Sequence, residues 1–443
     1  MSSGYFPIHK ESPLITGNSP RPSINVNKGV FTLKNRILTL AVSGLLFLVA
    51  GFVTDSLAED VDKGLKIGGS IRGRYEYINY LNDGEDETKD DRGRFRYRLR
   101  LDGKANINPN SKAYFRLVSG DDSRSGNVTL GDPVDMAPNG LSIRYAALVI
   151  TPWADGKLPG GNGKWSFDFG RVKNPYKWKG HGKDMMMWDG DIALAGTGTQ
   201  FSHKLGDKGK FFLQTGYYVI DENSKNDTQD PYMAPVQGGI IFGGDKTTAG
   251  VRATYYYMGE LDANFISRGA SGENTDGSDG VTSSGGNIED GLTGDPDGGS
   301  LQVIEAQAFV ATALGSVPLV LSGGYANNNS AEASVMYDGV GKNSVAYNAG
   351  IEAGSKKKAL LGGIGLYHIE ANAFPSQFID SDLLDGYTNR EGILFFLAKT
   401  VMKNTDLGLQ YFRSDAIDKN DALSESVENS KRNRLQIDMI YKF

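Results

Sequence analysis

Eight arginines carry the chemistry of this chain. Arg72 and Arg74, then Arg94, Arg96, Arg98 and Arg100, stand at alternate positions, and Arg116 and Arg144 follow in the next two segments. A spacing of two places side chains on one face of an extended strand. Alternate residues then lie about 6.6–7 Å apart and neighbouring strands about 4.8 Å apart. With parity kept across four segments, the eight guanidiniums form one basic wall. So many like charges cannot sit in a dry core; they require water, counter-ions or facing carboxylates. A water-filled passage supplies all three. An exposed face of a soluble sheet is the simpler alternative, but its opposite face would need a second apolar layer.

The segments that hold these arginines alternate strictly. In Arg94 to Ala105, Phe95, Tyr97, Leu99 and Leu101 oppose Arg94, Arg96, Arg98, Arg100, Asp102 and Lys104. In Leu65 to Tyr80, Leu65, Ile67, Ile71, Tyr75 and Tyr77 oppose Lys66, Arg72, Arg74 and Glu76. The last residues repeat the pattern, with Leu435, Ile437, Met439, Tyr441 and Phe443 against Gln436, Asp438 and Lys442, Ile440 being the exception. Period two with one apolar face predicts β-strands. Further strands are expected near 112–119, 141–151, 164–172, 198–206, 210–221, 235–242, 247–258, 301–314, 318–326, 344–354, 358–369, 391–401 and 405–413. Tight connections such as Asn108-Pro109-Asn110, Gly206 to Gly209 and Lys403-Asn404 carry turn chemistry. They alternate with long polar stretches at 81–92, 120–140, 173–197, 222–234, 259–300, 327–343, 370–390 and 414–431. The stretch 152–163 is the exception, long for a turn. About sixteen strands, an even number with connections sorted by length, predict an all-β antiparallel transmembrane barrel with short periplasmic turns and long extracellular loops.

The amino end and the composition agree with export. Lys34 and Arg36 precede an apolar run, Ile37 to Val53, and Ser56-Leu57-Ala58 offers small residues for cleavage. This is the order of a secretory signal. We therefore expect a leader over 1–58 and a barrel over 59–443, the mature chain being 385 of the 443 residues. The alternative is a retained anchor, but the run falls short of the roughly 20 residues a spanning helix needs. Beyond it no apolar run approaches that length, which excludes a helical bundle and not a barrel. There is no cysteine, so no disulfide or thiolate is available. Loss of the leader's five basic and two acidic residues takes the net charge from −6 to −9, which argues against nucleic acid as a partner. The 21 tyrosines and 20 phenylalanines suffice for aromatic girdles at two membrane interfaces.

The alternating terminal strand that closes on Tyr441 and Phe443 resembles the carboxy-terminal signal read by the machinery that assembles outer-membrane barrels. At the loop 173–197, the run Gly170-Arg171 through Asn174-Pro175 and then Asp184 to Asp191 is similar to the corresponding stretch of the putative-porin family of Gram-negative bacteria. In general porins the loop after the fifth strand folds inward. That resemblance implies a constriction loop here, in which Lys177, Lys183, Asp184, Asp189 and Asp191 face the arginine wall and Met185 to Trp188 pack against the lumen. An ordinary extracellular loop is the alternative. The resemblance also implies an outer-membrane location, lipid and small hydrophilic solutes and ions as partners, and a homotrimer.

The expected function is passive diffusion of small hydrophilic solutes, biased towards anions, through a pore lined by the eight arginines. A structural or adhesive barrel with a closed lumen and a substrate-specific anion channel are the alternatives. Catalysis, metal and cofactor have little support: His9, His181, His203 and His368 stand in no metal-ligand spacing, and no HExxH or serine elbow occurs. The low-complexity stretch 271–299 should be mobile and solvated. Its Asp276, Ser278 and Asp279 do not match the twelve-residue calcium loop.

Overall fold

The computed structural model describes residues 64–443 apart from 82–89, 121–123, 132–139, 179–187, 223–228, 245, 263–286, 295–297, 335–338, 340, 384–385 and 420–430. The expected leader, 1–58, therefore lies outside the described residues.

The chain runs through β1 (Lys66–Tyr80), β2 (Arg92–Asn108), β3 (Ser111–Ser119), β4 (Val128–Thr129), β5 (Leu141–Ile150), β6 (Gly163–Lys173), β7 (Ala193–Leu205), β8 (Gly209–Val219), β9 (Tyr232–Gly243), β10 (Thr248–Asp262), α1 (Glu289–Thr293), β11 (Gly298–Leu314), β12 (Val317–Asn328), β13 (Val345–Gly354), β14 (Leu361–Ile369), β15 (Arg390–Met402), β16 (Thr405–Ala416) and β17 (Arg432–Lys442). β4 is a two-residue piece that pairs with Arg96 and Tyr97 of β2 above the end of the shorter β3. The other sixteen strands pair antiparallel with their chain neighbours, and β17 pairs with β1 from Ser70↔Lys442 to Tyr80↔Arg432, so the sheet closes on itself. The expected sixteen-stranded barrel is the fold. Closure removes every free sheet edge, which a strand in lipid requires.

Short turns fall at one end of the barrel and long connections at the other. The exceptional stretch 152–163 belongs to the short-turn end. It is shaped by a 3₁₀ turn at Ala154–Gly156 and anchored by hydrogen bonds from Asp155 N to Pro109 O and from Thr151 N to Asn110 O, 2.8 Å each.

Side-chain alternation sorts the two faces. Ile71 is 50% exposed and Arg72 6%; Met439 is 56% exposed and Asp438 5%. Outward positions include Val251, Ile304, Leu321, Ile351, Leu366 and Leu397. Exposed Tyr77, Phe95, Tyr255, Tyr325 and Tyr347 stand near the long-loop end, and Trp153, Phe242, Tyr441 and Phe443 near the short-turn end. A continuous apolar belt between two aromatic rims is unfavourable in water and matches a bilayer.

Inside, two walls differ. β1, β2, β3 and β17 present charge. β10 to β16 present Tyr256, Val303, Tyr367, Leu394, Phe396 and Phe412, all buried. These pack on segments that re-enter the barrel from the long-loop end and form the apolar core with them.

Candidate functional site

Two loops fold back into the barrel. In the first, between β6 and β7, Tyr176 and Trp188 are buried. Trp188 packs on Phe374 and Phe378 at ring-centre distances of 5.5 and 5.1 Å, and its Nε1 donates to Tyr256 Oη at 3.1 Å. The second, residues 370–389 between β14 and β15, contributes Phe374, Ile379, Asp380, Asp382 and Leu383. They are cross-linked: Asp189 N donates to Phe378 O, and Asp189 Oδ2 accepts from Ser381 N and Ser381 Oγ, at 2.7, 2.7 and 2.8 Å. Arg124 clamps the second loop by donating to Ser376 O and Gly386 O at 2.9 Å each. Gly386 takes φ +75°, and a Cβ there would collide with the Arg124 guanidinium. That close approach explains the glycine.

A third piece, Asn287 to Thr293, lies against the second loop. Asn287 Nδ2 donates to Ala371 O and Phe374 O, and its Oδ1 accepts from Ser376 N, at 2.6, 2.9 and 2.7 Å. Asn328 Nδ2 spans Leu292 O and Asn372 O at 2.9 and 2.7 Å. Asn372 Oδ1 accepts from Ile288 N at 2.9 Å, so three buried asparagines satisfy backbone that re-enters without a strand partner, as buried polar backbone demands. The expectation of a wholly solvated 271–299 stretch is corrected for this part. Ile288 and Leu292 are buried, and Gly298–Gly299 joins β11. Asp276, Ser278 and Asp279 lie outside the described residues.

The arginines meet these loops. Arg74 donates to Asp438 through Nε and Nη2 at 2.6 and 2.9 Å and to Asp382 through Nη1 at 2.7 Å. Arg72 lies 3.7 Å from Asp438 and also bonds Asn127. Glu76, fully buried, accepts from Arg94 and Arg434 and has Arg96 3.8 Å away. Arg98 and Arg100 pair with Asp191. Arg116 pairs with Asp102 of the adjacent strand at 2.7 and 2.9 Å. A β-bulge between Arg116↔Tyr145 and Leu117↔Ile143 leaves Arg144 as an extra residue, so Arg144 and Tyr145 are both buried. Such a bulge re-aims side chains locally.

The structure therefore brings the arginine wall into ion pairs and hydrogen bonds with strand and loop acids, with Arg144 buried in the same wall. Of the constriction residues, Asp191 reaches the wall, Asp189 ties the loops together and Lys177 Nζ donates to Trp188 O at 2.9 Å. Lys183 and Asp184 lie outside the described residues, as do Met185 to Met187. Sequence reasoning missed the second loop and the anchoring of Arg74 by Asp382. It also missed Arg434 and the acids Glu76 and Asp438, although all three were legible as polar-parity residues of β1 and β17. Burial opposes ionisation at Asp382, but Arg74, Arg434 and Arg72 outweigh it and hold the carboxyl well below its ordinary range. Burial beside Asp380 and Asp191 drives Asp189 the other way, well above it.

Phe443 closes the barrel seam, its backbone exchanging hydrogen bonds with Gly69 at 2.9 and 3.2 Å while its ring stacks near Tyr441 on the outer face.

A closed sixteen-stranded barrel, apolar outside and charged inside, narrowed by loops folded into its lumen, defines a porin-like outer-membrane channel. Residues 66–284 match the family described as Putative porin. Among solved structures, the fold is similar to OprB of Pseudomonas putida, with 10% identity, a TM-score of 0.52 and coverage of 86% of this chain and 95% of that one. OmpF of Salmonella typhi aligns with 14% identity and a TM-score of 0.49 over 87% of this chain and 100% of that one. A search of curated proteins finds no match.

Proposed function

We propose that this channel passes small hydrophilic solutes by passive diffusion, with a bias towards anions. One observation carries the reading. Arg94, Arg96, Arg98 and Arg100 stand in a row on the inner face of β2, and their side chains keep 11–19% exposure opposite the interior loops. The side chains of Arg72 and Arg74 fall to 7% or less. The β2 row is therefore the part of the wall that passing solutes meet, with Arg116 beside it. Arg72, Arg74 and Arg144 support the wall from behind. A row of fixed cations in a narrow, low-dielectric passage concentrates anions and orients dipolar solutes. Lys177, Asp189 and Asp191 set the aperture in this reading. Tyr441 and Phe443 serve the assembly machinery, and three copies assemble as in general porins. The second interior loop favours one further reading, a channel selective for a particular anion, because two cross-linked loops narrow the lumen more than one.

The test is reversal potential in planar bilayers under a salt gradient. Replacing Arg94, Arg96, Arg98 and Arg100 with Gln keeps hydrogen bonding and removes four charges. Selectivity should shift towards cations, most at low salt, where the Debye length is about 30 Å at 0.01 M against about 3 Å at 1 M. A wild type already strongly cation-selective, with an unmoved potential in the variant, would remove the anion reading. Block by micromolar solute would favour the selective channel.

A further inference from the structure

Between the first interior loop and the short-turn end, the barrel keeps a cavity of about 520 Å³ on the inner face of β6 to β10, with Tyr114 of β3 and Val149 of β5 at its edge. None of the eight arginines above lines it. Among the described residues its cations are Lys164, Lys173, Lys177, Lys210 and Arg252, and its carboxylate is Asp168. That excess of positive charge is local, in a chain whose net charge is negative.

The five cations are held differently. Arg252 donates to Tyr176 O at 2.6 Å and Gln307 Oε1 at 2.7 Å and covers the Trp178 ring at 4.9 Å. Lys177 is bonded to Trp188 O. Lys173 lies over Tyr114 at 5.0 Å and Tyr145 at 5.4 Å. These three fix the loop and the walls. Lys164 and Lys210 are exposed, and among the described residues neither is in an ion pair. Lys164 is opposite Ser202 on β7, and Ser202 is opposite Phe212 on β8, two residues from Lys210. With strands about 4.8 Å apart, β6 and β8 are roughly 10 Å apart, so the two long side chains can converge on one anion. Phe212 follows Lys210 by two residues on β8, and Trp178 meets its ring edge-on at 6.3 Å. The volume falls in the range of about 300–1,000 Å³ typical of small-ligand sites, and the lining pairs an apolar wall with a few convergent polar groups, as such sites do.

We infer that this cavity binds a small organic anion, its charge between Lys164 and Lys210 and its apolar body against Phe212 and Trp178. The inference rests on the diffusion reading for how the anion arrives, and it names a binding step at residues other than the arginine row.

The test uses the full chain in detergent, titrated with benzoate, benzyl alcohol and inorganic phosphate, with binding read by calorimetry and by the fluorescence difference between wild type and Trp178→Phe. Benzoate should bind saturably, and both benzyl alcohol and phosphate at least tenfold more weakly. Lys164→Gln and Lys210→Gln should each weaken benzoate tenfold or more. Phe212→Ala should weaken benzoate and leave phosphate unchanged. Equal binding of benzoate and phosphate, with Phe212→Ala silent, would mean a store of counter-ions and overturn the inference, as would the absence of saturable benzoate binding. Bilayer currents from the same preparation separate the two readings. Normal anion-biased current without benzoate binding removes the site alone, and benzoate binding without current removes the diffusion reading alone.

Discussion

Asp382→Ala isolates how firmly the second interior loop is held. In the native protein the carboxylate accepts from Arg74 at 2.7 Å and Gln436 at 3.1 Å and has Arg434 3.6 Å away. Neither arginine is orphaned by its loss, because Arg74 keeps Asp438 and Arg434 keeps Glu76. The full penalty of a stranded buried charge, about 3–5 kcal/mol, therefore does not apply. What disappears is a set of charge-assisted hydrogen bonds, about 1.5–3 kcal/mol. At about 1.4 kcal/mol per factor of ten, the loop's detached population should rise roughly tenfold to 150-fold. It should not become dominant, because Asp189 still holds Ser381, Arg124 still grips Ser376 and Gly386, and Phe374 and Phe378 still pack on Trp188. The expected phenotype in single-channel recordings is brief excursions to higher conductance, with the principal level unchanged. Asp189→Ala made on the same background should lengthen them. A recording indistinguishable from wild type would mean that the clamp carries no free energy, and a permanently larger level would mean that the remaining anchors are weaker than their geometry implies.

Acidification should leave this clamp intact. Asp382 lies well below its ordinary range, so its stabilisation is complete above about pH 4 and fades only as pH falls through the lower folded-state value. The difference between wild type and Asp382→Asn recordings should be the same at about pH 5 as at about pH 7; its disappearance at pH 5 would contradict the assignment. Leu99 lies on the outward parity of β2, so Leu99→Arg should cost about 2–4 kcal/mol near the bilayer midplane. Arg98→Leu should cost less, and the reverse order in folding into lipid vesicles would refute the assignment of faces. Deleting Phe443 removes the Gly69 hydrogen bonds that finish the seam, and outer-membrane yield should fall more than for a change in any long loop; normal yield would leave the terminal aromatic without a role in assembly.

The barrel was legible in the sequence because a strand in lipid has a period of two and must show one face to hydrocarbon. Ile71 against Arg72 and Met439 against Asp438 already state which way each side chain turns, and the alternation of short and long connections states how the strands are joined. Local pattern cannot show pairing across the closed sheet. Glu76 reads only as a polar residue until closure sets it beside Gln436 of β17 and Arg94 of β2. The bulge that puts Arg144 and Tyr145 on one side is likewise a matter of register with β3, not of local sequence. The interior loops were least legible. The segment 370–389 is polar enough to pass for a surface loop, and its burial depends on Asn287 and Asn328 satisfying its backbone while its own Asn372 bonds Ile288 N. Ion pairs such as Arg74–Asp382, separated by 308 positions, exist only after sixteen strands have closed. The membrane class and the faces of the strands were readable from residue order, because these follow from solvent and period. The tertiary structure alone decided which charges meet, because that depends on closure, register and the return of loops into the lumen.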